Sequence, residues 1–273
     1  LVVQRVVDSA APPVEAVVFV RTYGVQVNPG KLFAKLRSVN PDLLIIDDRC
    51  LAAPETEIER DQFHGADVLL YSTGYGKQVD LGFGGFAHLS SGIRYTISDR
   101  EFKPDDLARV TNLWNDHTRT AQPLYTGNDS TSRRLAEMLW LDTRRPNADW
   151  RGYVSAVEKT RAESEKQTDR INEIYRQQIN TEVQMPTRFN RWRFQILIPD
   201  RDEALRKIFA AGLFASGHFF PASILFGGIR CPEATRLHSR VLNLFNDHRI
   251  RESQANRLSF LVKRHIDGRV IGA

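Results

Sequence analysis

Cysteine is scarce in this chain: Cys50 and Cys231 are the two among 273 residues. They form neither a disulfide framework nor a metal-ligand pattern, which excludes a disulfide-stapled scaffold and suits the cytosol. Long apolar runs are missing too. None approaches the ~20 residues that a membrane span requires, so no transmembrane helix is expected. The N-terminus, Leu1-Val2-Val3-Gln4-Arg5, has no basic stretch before a hydrophobic one and no small-residue cleavage site, so no signal peptide is read. His64 and His88 have no ligand-spaced partners, and no metal site is expected. Internal repeats and low-complexity segments are absent.

What remains is ordinary globular composition, with 41% hydrophobic and 26% charged residues. The length allows one large domain or two of ordinary size. The net charge is +5, much of it from arginine, with the densest spots at Arg133-Arg134, Arg144-Arg145 and Arg188/Arg191/Arg193. No finger, RNA-binding signature or aromatic-basic alternation accompanies them, so nucleic acid is not an expected partner. A solvated helix surface accounts for them, and so does bidentate clamping of a diphosphate.

The first hundred residues alternate strand and helix signals. Val17–Val20, Leu43–Ile46, Val68–Tyr71 and Phe86–Leu89 read as strands, Arg94–Ile97 as a further one, and Lys31–Leu36 as a short helix. Such alternation predicts a mostly parallel sheet with helices on both faces. Asp105–Asp116 and Ser132–Leu141 read as helices around a turn at Gly127-Asn128-Asp129. From Trp150 to about Ile179 the chain is helical, with an apolar stripe of Tyr153, Val157, Ile171, Ile174 and Tyr175, and Met185-Pro186 ends this stretch. Beyond it, Trp192–Ile198 reads as an alternating strand. A helix then starts at Pro199-Asp200, with Asp200 as cap and Glu203 at the capping-box position, and closes at Gly212. Glu233–Leu244 and Glu252–Ile266 read as amphipathic helices. The expectation is a large α/β domain over 1–149 and a smaller α+β domain over 150–273.

Chemistry concentrates at Lys77. The apolar run Val68-Leu69-Leu70-Tyr71 leads into Ser72-Thr73-Gly74-Tyr75-Gly76-Lys77, and Gly82-Phe83-Gly84-Gly85 leads out. A lysine held between two buried strands by a glycine-rich loop can be desolvated, which makes its amine a nucleophile near neutral pH. Glycines and the Ser72 hydroxyl suit close approach of a phosphate. Upstream, Leu43-Leu44-Ile45-Ile46 ends in Asp47-Asp48. Ligands in open α/β sheets bind at the carboxyl ends of strands, where these acids fall. Together these residues suggest pyridoxal 5'-phosphate, with Lys77 forming a Schiff base, Ser72 near the phosphate and Asp48 against the pyridine nitrogen. Each also has a plainer reading: Lys77 as a surface loop lysine, Asp48 as a helix cap, and Ser72 as a turn hydrogen bond. Asp47 reads as structural and Cys50 as buried filler.

These residues resemble the DegT/DnrJ/StrS-type sugar aminotransferases, which have the type I fold of pyridoxal-phosphate enzymes. In that family a strand ending in Glu-Asp carries the pyridinium acid, and Ser-Phe-x-x-x-Lys carries a phosphate-contacting serine and the Schiff-base lysine. A Gly-Glu-Gly-Gly turn follows. Asp47-Asp48, Ser72 to Lys77 and Gly82-Phe83-Gly84-Gly85 fall at matching offsets. Val17 to Gly24, Gly217-His218-Phe219-Phe220-Pro221 and Val241 to Asp247 resemble further family segments. The departures are Leu51 in place of Gln or His, Phe83 in place of the turn acid, and no Gly-Tyr-Asn-x-Arg segment between Ile93 and Tyr153. The match opens at Leu1, where the family is already well into its fold, which implies a missing phosphate-binding turn and ring-stacking aromatic.

The resemblance implies transamination of a keto-sugar nucleotide by an amino acid such as glutamate, in a cytoplasmic homodimer. Lys77 would be the catalytic lysine, and Asp48 and Ser72 would bind the cofactor. It also implies His218 near the substrate, although a packed histidine fits the same residue. The alternatives are a non-catalytic or truncated homologue that binds a partner or nucleotide sugar, and another fold type I pyridoxal-phosphate reaction.

Overall fold

The computed structural model describes residues 14–96, 149–217 and 231–270, together with Asn112. The chain divides into two compact units, one built from Leu1–Gly92 with Ala156–Ala273 and the other from Ile93–Ser155. The first unit contains two sheets.

The four-stranded sheet has the order β1 (Ala16–Val20), β2 (Leu44–Asp48), β3 (Val68–Ser72), β4 (Gly85–Leu89). β1, β2 and β3 are parallel, and β4 returns antiparallel to β3. Helix α1 (Gly30–Val39) makes the first crossover and buries Phe33 and Leu36, three positions apart on one face. Its partners are the inward positions Ile45, Leu69 and Tyr71, with Phe19 and Phe86 partly buried beside them. The Phe19 and Phe33 rings meet edge to face at 5.5 Å. Four of the expected strands are therefore present. At Arg94–Ile97, residues 94–96 are not strand and Ile97 lies outside the described residues. The expected helices at Asp105–Asp116 and Ser132–Leu141 also lie outside them, apart from helical Asn112.

The opposite face of this sheet carries Val18 and Val20, each 54% exposed, with Leu89 at 36%. Helices on both faces were expected. Among the described residues α1 covers one face, and these valines and Leu89 leave the margins of the other open.

Helix α2 (Trp150–Gln178) has Val157, Ile171 and Tyr175 fully buried along its stripe. The second sheet is antiparallel, in the order β5 (Phe194–Leu197), β7 (Val241–Leu244), β6 (Ala215–Gly217). Phe194, Ile196, Leu242, Leu244 and Ala215 form one face. They pack on Ile171 and Tyr175 of α2, Ala204 and Ile208 of α3 (Arg201–Ala210), and Ala255, Leu258 and Val262 of α5 (Glu252–Val270).

Two expectations fail here for the same reason. The helix expected over Glu233–Leu244 stops at Arg240 as α4 (Pro232–Arg240), and the chain turns directly into β7. All four β7 residues are buried, as suits a central strand covered on both sides, and pairing with β5 and β6 overrides the helical pattern. Likewise β5 alternates in chemistry but not in burial, because Gln195 is as buried as Phe194 and Ile196. Asp200 caps α3 in the left-handed region (φ 47°) without a side-chain capping hydrogen bond. Glu203 pairs instead with Lys207 at 2.8 Å. Gly212, at φ 69°, closes α3 as expected, with Leu213 N–H donating to the Ile208 carbonyl at 3.1 Å.

Candidate functional site

The carboxyl ends of β1, β2 and β3 gather the residues with chemical potential. Period-two alternation separates Asp47 from Asp48. Asp47 points to the α1 face and is fully buried. It receives Arg21 through Nε at 2.8 Å and Nη2 at 2.7 Å, and Arg49 through Nε at 2.9 Å. Arg49 also donates to the Tyr71 hydroxyl at 3.0 Å, and that hydroxyl donates to Glu55 at 2.9 Å. Asp47 is thus the anion of a closed network, with both oxygens engaged.

Asp48 points to the other face and is half-buried. Its Oδ1 accepts the Cys50 N–H at 2.9 Å, so the plainer helix-cap role is replaced by a turn contact. Asp48 pairs in register with Leu70, and Ser72 lies two residues further along β3 on the same face. Ser72 Oγ accepts a weak bond from Gly74 N–H at 3.4 Å. Lys77 follows in the loop and is half-buried. Burial and the neighbouring Asp48 push the Cys50 thiol up to about 12, while the charge of Lys77 pulls it down. Asp48 and Lys77 therefore both act on Cys50. Cys50 is half-buried rather than buried, which corrects its reading as buried filler, and the raised thiol disfavours the reactive thiolate.

The Lys77 loop is a built turn. Thr73 donates through Oγ1 to the Phe83 carbonyl at 2.7 Å and through N–H to Gly84 at 3.1 Å. Asp80 accepts Gly76 N–H and Gly82 N–H, both at 2.9 Å. Gly76, Gly82 and Gly84 have φ of 77°, 77° and 85°, the left-handed region that glycine enters without a Cβ penalty. At the end of β1, Tyr23 and Gly24 turn the chain with φ of 62° and 70°. A Cβ at Gly24 would collide with the Leu51 carbonyl, so glycine lets this turn close over the end of β2.

Several residues that contribute here were not singled out from sequence. Arg21 and Arg49 close the Asp47 network, and Asp80 organises the lysine loop. In the sequence Arg193 stands out only as part of a basic cluster. It is 3% exposed and pairs with Asp247 at 2.9 Å, which corrects the solvated-surface reading at this position. Burial lowers its pKa while Asp247 opposes that shift. Arg191 pairs with Asp169 at 3.1 Å and Arg188 lies over the Phe189 ring. His88 Nε2 contacts the Glu55 carbonyl at 2.7 Å. His218 and the arginine pairs at 133–134 and 144–145 lie outside the described residues. Among the described residues no group of three His, Cys, Asp or Glu is placed to hold a metal, and no helix is long and apolar enough to cross a membrane.

The donor set can be tested against pyridoxal phosphate. A carboxylate, a hydroxyl and a primary amine occur at the carboxyl edge of parallel strands, with the carboxylate and hydroxyl on one sheet face. These groups fit the ring nitrogen, the phosphate and the carbonyl carbon respectively.

No protein-family model matches the chain, and no curated protein does. Solved structures do match. DesI, crystallised in the presence of its TDP-sugar product, superposes with a TM-score of 0.60 at 18% identity over 99% of this chain and 67% of its own. The DegT DnrJ EryC1 StrS aminotransferase from Brucella abortus gives 0.58 at 14% identity, over 97% of this chain and 68% of its own. The aminotransferase TlmJ from Streptoalloteichus hindustanus gives 0.60 at 16%, over 98% and 70%. The chain thus has the mixed α/β, type I fold of sugar aminotransferases, and it spans about two thirds of the length of these structures.

Proposed function

We propose that this chain carries the lysine-bearing part of a pyridoxal-phosphate-dependent aminotransferase that moves an amino group from an amino acid, glutamate for example, to a keto-sugar nucleotide. The observation that carries this reading is the placement of Asp48 and Ser72 on one sheet face at the carboxyl ends of β2 and β3, with Lys77 in the loop that leaves β3. The sugar-nucleotide acceptor is drawn from the TDP-sugar product of DesI.

Bound pyridoxal phosphate supplies an electron sink for a carbanion at the substrate carbon. Asp48 would hold the proton on the ring nitrogen. The Ser72 hydroxyl would donate to the phosphate. Lys77 would anchor the cofactor and, once displaced, carry the proton to and from the substrate α-carbon. Further parts of this proposal are a large domain over 1–149, a smaller one over 150–273, a homodimer and a cytoplasmic setting.

A second reading, a non-catalytic homologue that binds a nucleotide sugar or a partner, draws on Leu51 and Phe83, which depart from the family pattern. One experiment separates the two. Purified protein given pyridoxal phosphate should acquire visible absorbance, and Lys77→Ala should abolish it. Borohydride reduction followed by mass spectrometry should place the adduct on Lys77. If wild type and variant both stay colourless, the enzyme reading fails.

A further inference from the structure

The loop that carries Lys77 is glycine-rich, with three of its glycines in left-handed backbone. Such a segment loses much freedom on ordering and does not hold a geometry unaided. Its order comes from elsewhere. The peptide that joins Gly76 to Lys77 is gripped through the Gly76 carbonyl, which accepts Trp192 Nε1 at 2.8 Å and Arg193 Nη2 at 3.3 Å. The Gly76 N–H is held by Asp80. Asp80 pairs with Arg249, Arg249 pairs with Asp247 at 2.6 Å, and Asp247 pairs with Arg193 at 2.9 Å. The guanidinium of Arg249 also lies 4.6 Å from the centre of the Tyr75 ring, and that of Arg193 lies 4.1 Å from the Phe245 ring.

Charges therefore alternate, Asp80, Arg249, Asp247, Arg193, and both ends of the chain return to Gly76. The side chains of Asp80, Asp247 and Arg193 are 9%, 7% and 3% exposed and that of Arg249 is 24%, so water screens the Asp247–Arg193 pair little and the two Arg249 pairs more. The C-terminal members follow β7 or precede β5, both strands of a sheet whose inner face is fully packed.

Resting on the reading of Lys77 as the cofactor lysine, we propose that Asp80, Arg249, Asp247 and Arg193 are positioning residues: an ion-pair clamp through which the C-terminal sheet sets the backbone of Lys77. Lys77 is then aimed by a different part of the fold from the one that supplies Asp48 and Ser72. The amine and the pyridinium acid are brought to one cofactor only when both parts are in place.

The clamp is tested with Arg249→Ala, Arg249→Lys and Asp80→Asn, all at the partly exposed end, with circular dichroism as a check on folding. Two measurements are made: amide hydrogen exchange over residues 74–82, and the yield of reduced pyridoxal phosphate adduct at Lys77. Arg249→Ala and Asp80→Asn should each speed exchange of the Gly76 and Gly82 amides at least about tenfold, leave β5 and β7 protected, and lower the apparent affinity for pyridoxal phosphate by a similar factor. Arg249→Lys keeps one charge contact and should recover part of both. If wild type takes the cofactor and both disruptive variants take it equally well, the positioning role is overturned while the enzyme reading stands. Unchanged exchange over 74–82 overturns the clamp as well. If wild type forms no adduct at Lys77, the enzyme reading fails. Faster exchange in the variants would then mark only a contact within the fold, and the positioning proposal falls with that reading.

Discussion

On the α1 face of the four-stranded sheet, Asp47 is fully buried and sealed between Arg21 and Arg49. On the opposite face Asp48, its neighbour in sequence, is half-buried and meets only Cys50, through its backbone N–H and its thiol, with no guanidinium against it. The two carboxylates are chemically identical and differ in which way the pleat turns them. One is spent on structure, because a buried charge is tolerated only when its partners satisfy it. The other keeps acceptor capacity for a ligand. On the proposed reading of Asp48, this sheet separates stability from chemistry by a single step along the chain.

The largest expected contrast comes from removing each carboxylate. Asp47→Ala leaves buried Arg21 without its carboxylate and Arg49 with only its 3.4 Å pair to Glu55, and should cost about 3–5 kcal/mol. Asp48→Ala loses only its contacts to Cys50 at a half-buried site and should cost about 1 kcal/mol. Urea unfolding measures both, and equal shifts in midpoint would erase the distinction between the faces.

Thiol reactivity sharpens the same comparison from the open side. With the Cys50 thiol raised from 9.0 to about 12, native protein at pH 8 should hold on the order of a thousandfold less thiolate there than the unfolded chain. Alkylation of Cys50, followed by peptide mass spectrometry, should be slow in the native state and fast in urea. Lys77→Gln should slow it further, since the ammonium favours the thiolate. The linkage has a definite sign. A raised folded pKa stabilises the fold below about pH 9, and that contribution is lost as pH rises through about 12.

Smaller effects test the sealed network and the open margin. Tyr71→Phe removes the hydroxyl between Arg49 and Glu55 and should cost about 1–2 kcal/mol in thermal or urea unfolding. Val18→Thr, on the exposed margin, should stay within about 0.5 kcal/mol. A large loss at Val18 would mean that this face is packed in solution.

Much of the parallel sheet was legible because its signals are local. Apolar runs of four residues ended in turn or acidic residues, and β1 to β4 lie within one or two residues of where those runs predicted them. The Gly212 stop was legible for the same reason. The region around β7 was not. Val241-Leu242-Asn243-Leu244 can continue a helix by propensity, and only its position between β5 and β6 makes it a strand. Gln195 and Asn243 show the same limit: they are polar by composition, buried by topology, and paired across neighbouring strands.

The sequence by itself carried the type I fold resemblance and the proposed set Asp48, Ser72 and Lys77, because two of these residues lie on adjacent strands and the third in the loop that follows, at spacings carried by the chain. The structural reading of Asp47 was already in the sequence, and the tertiary structure supplied its cause: the pleat turns Asp47 toward α1 and between Arg21 and Arg49. The tertiary structure also decided what holds the lysine loop. Asp80 and Arg249 are 169 positions apart, and no local pattern marks one as the partner of the other. Ion pairs are made by proximity in space, and for these residues proximity exists only once both sheets have formed.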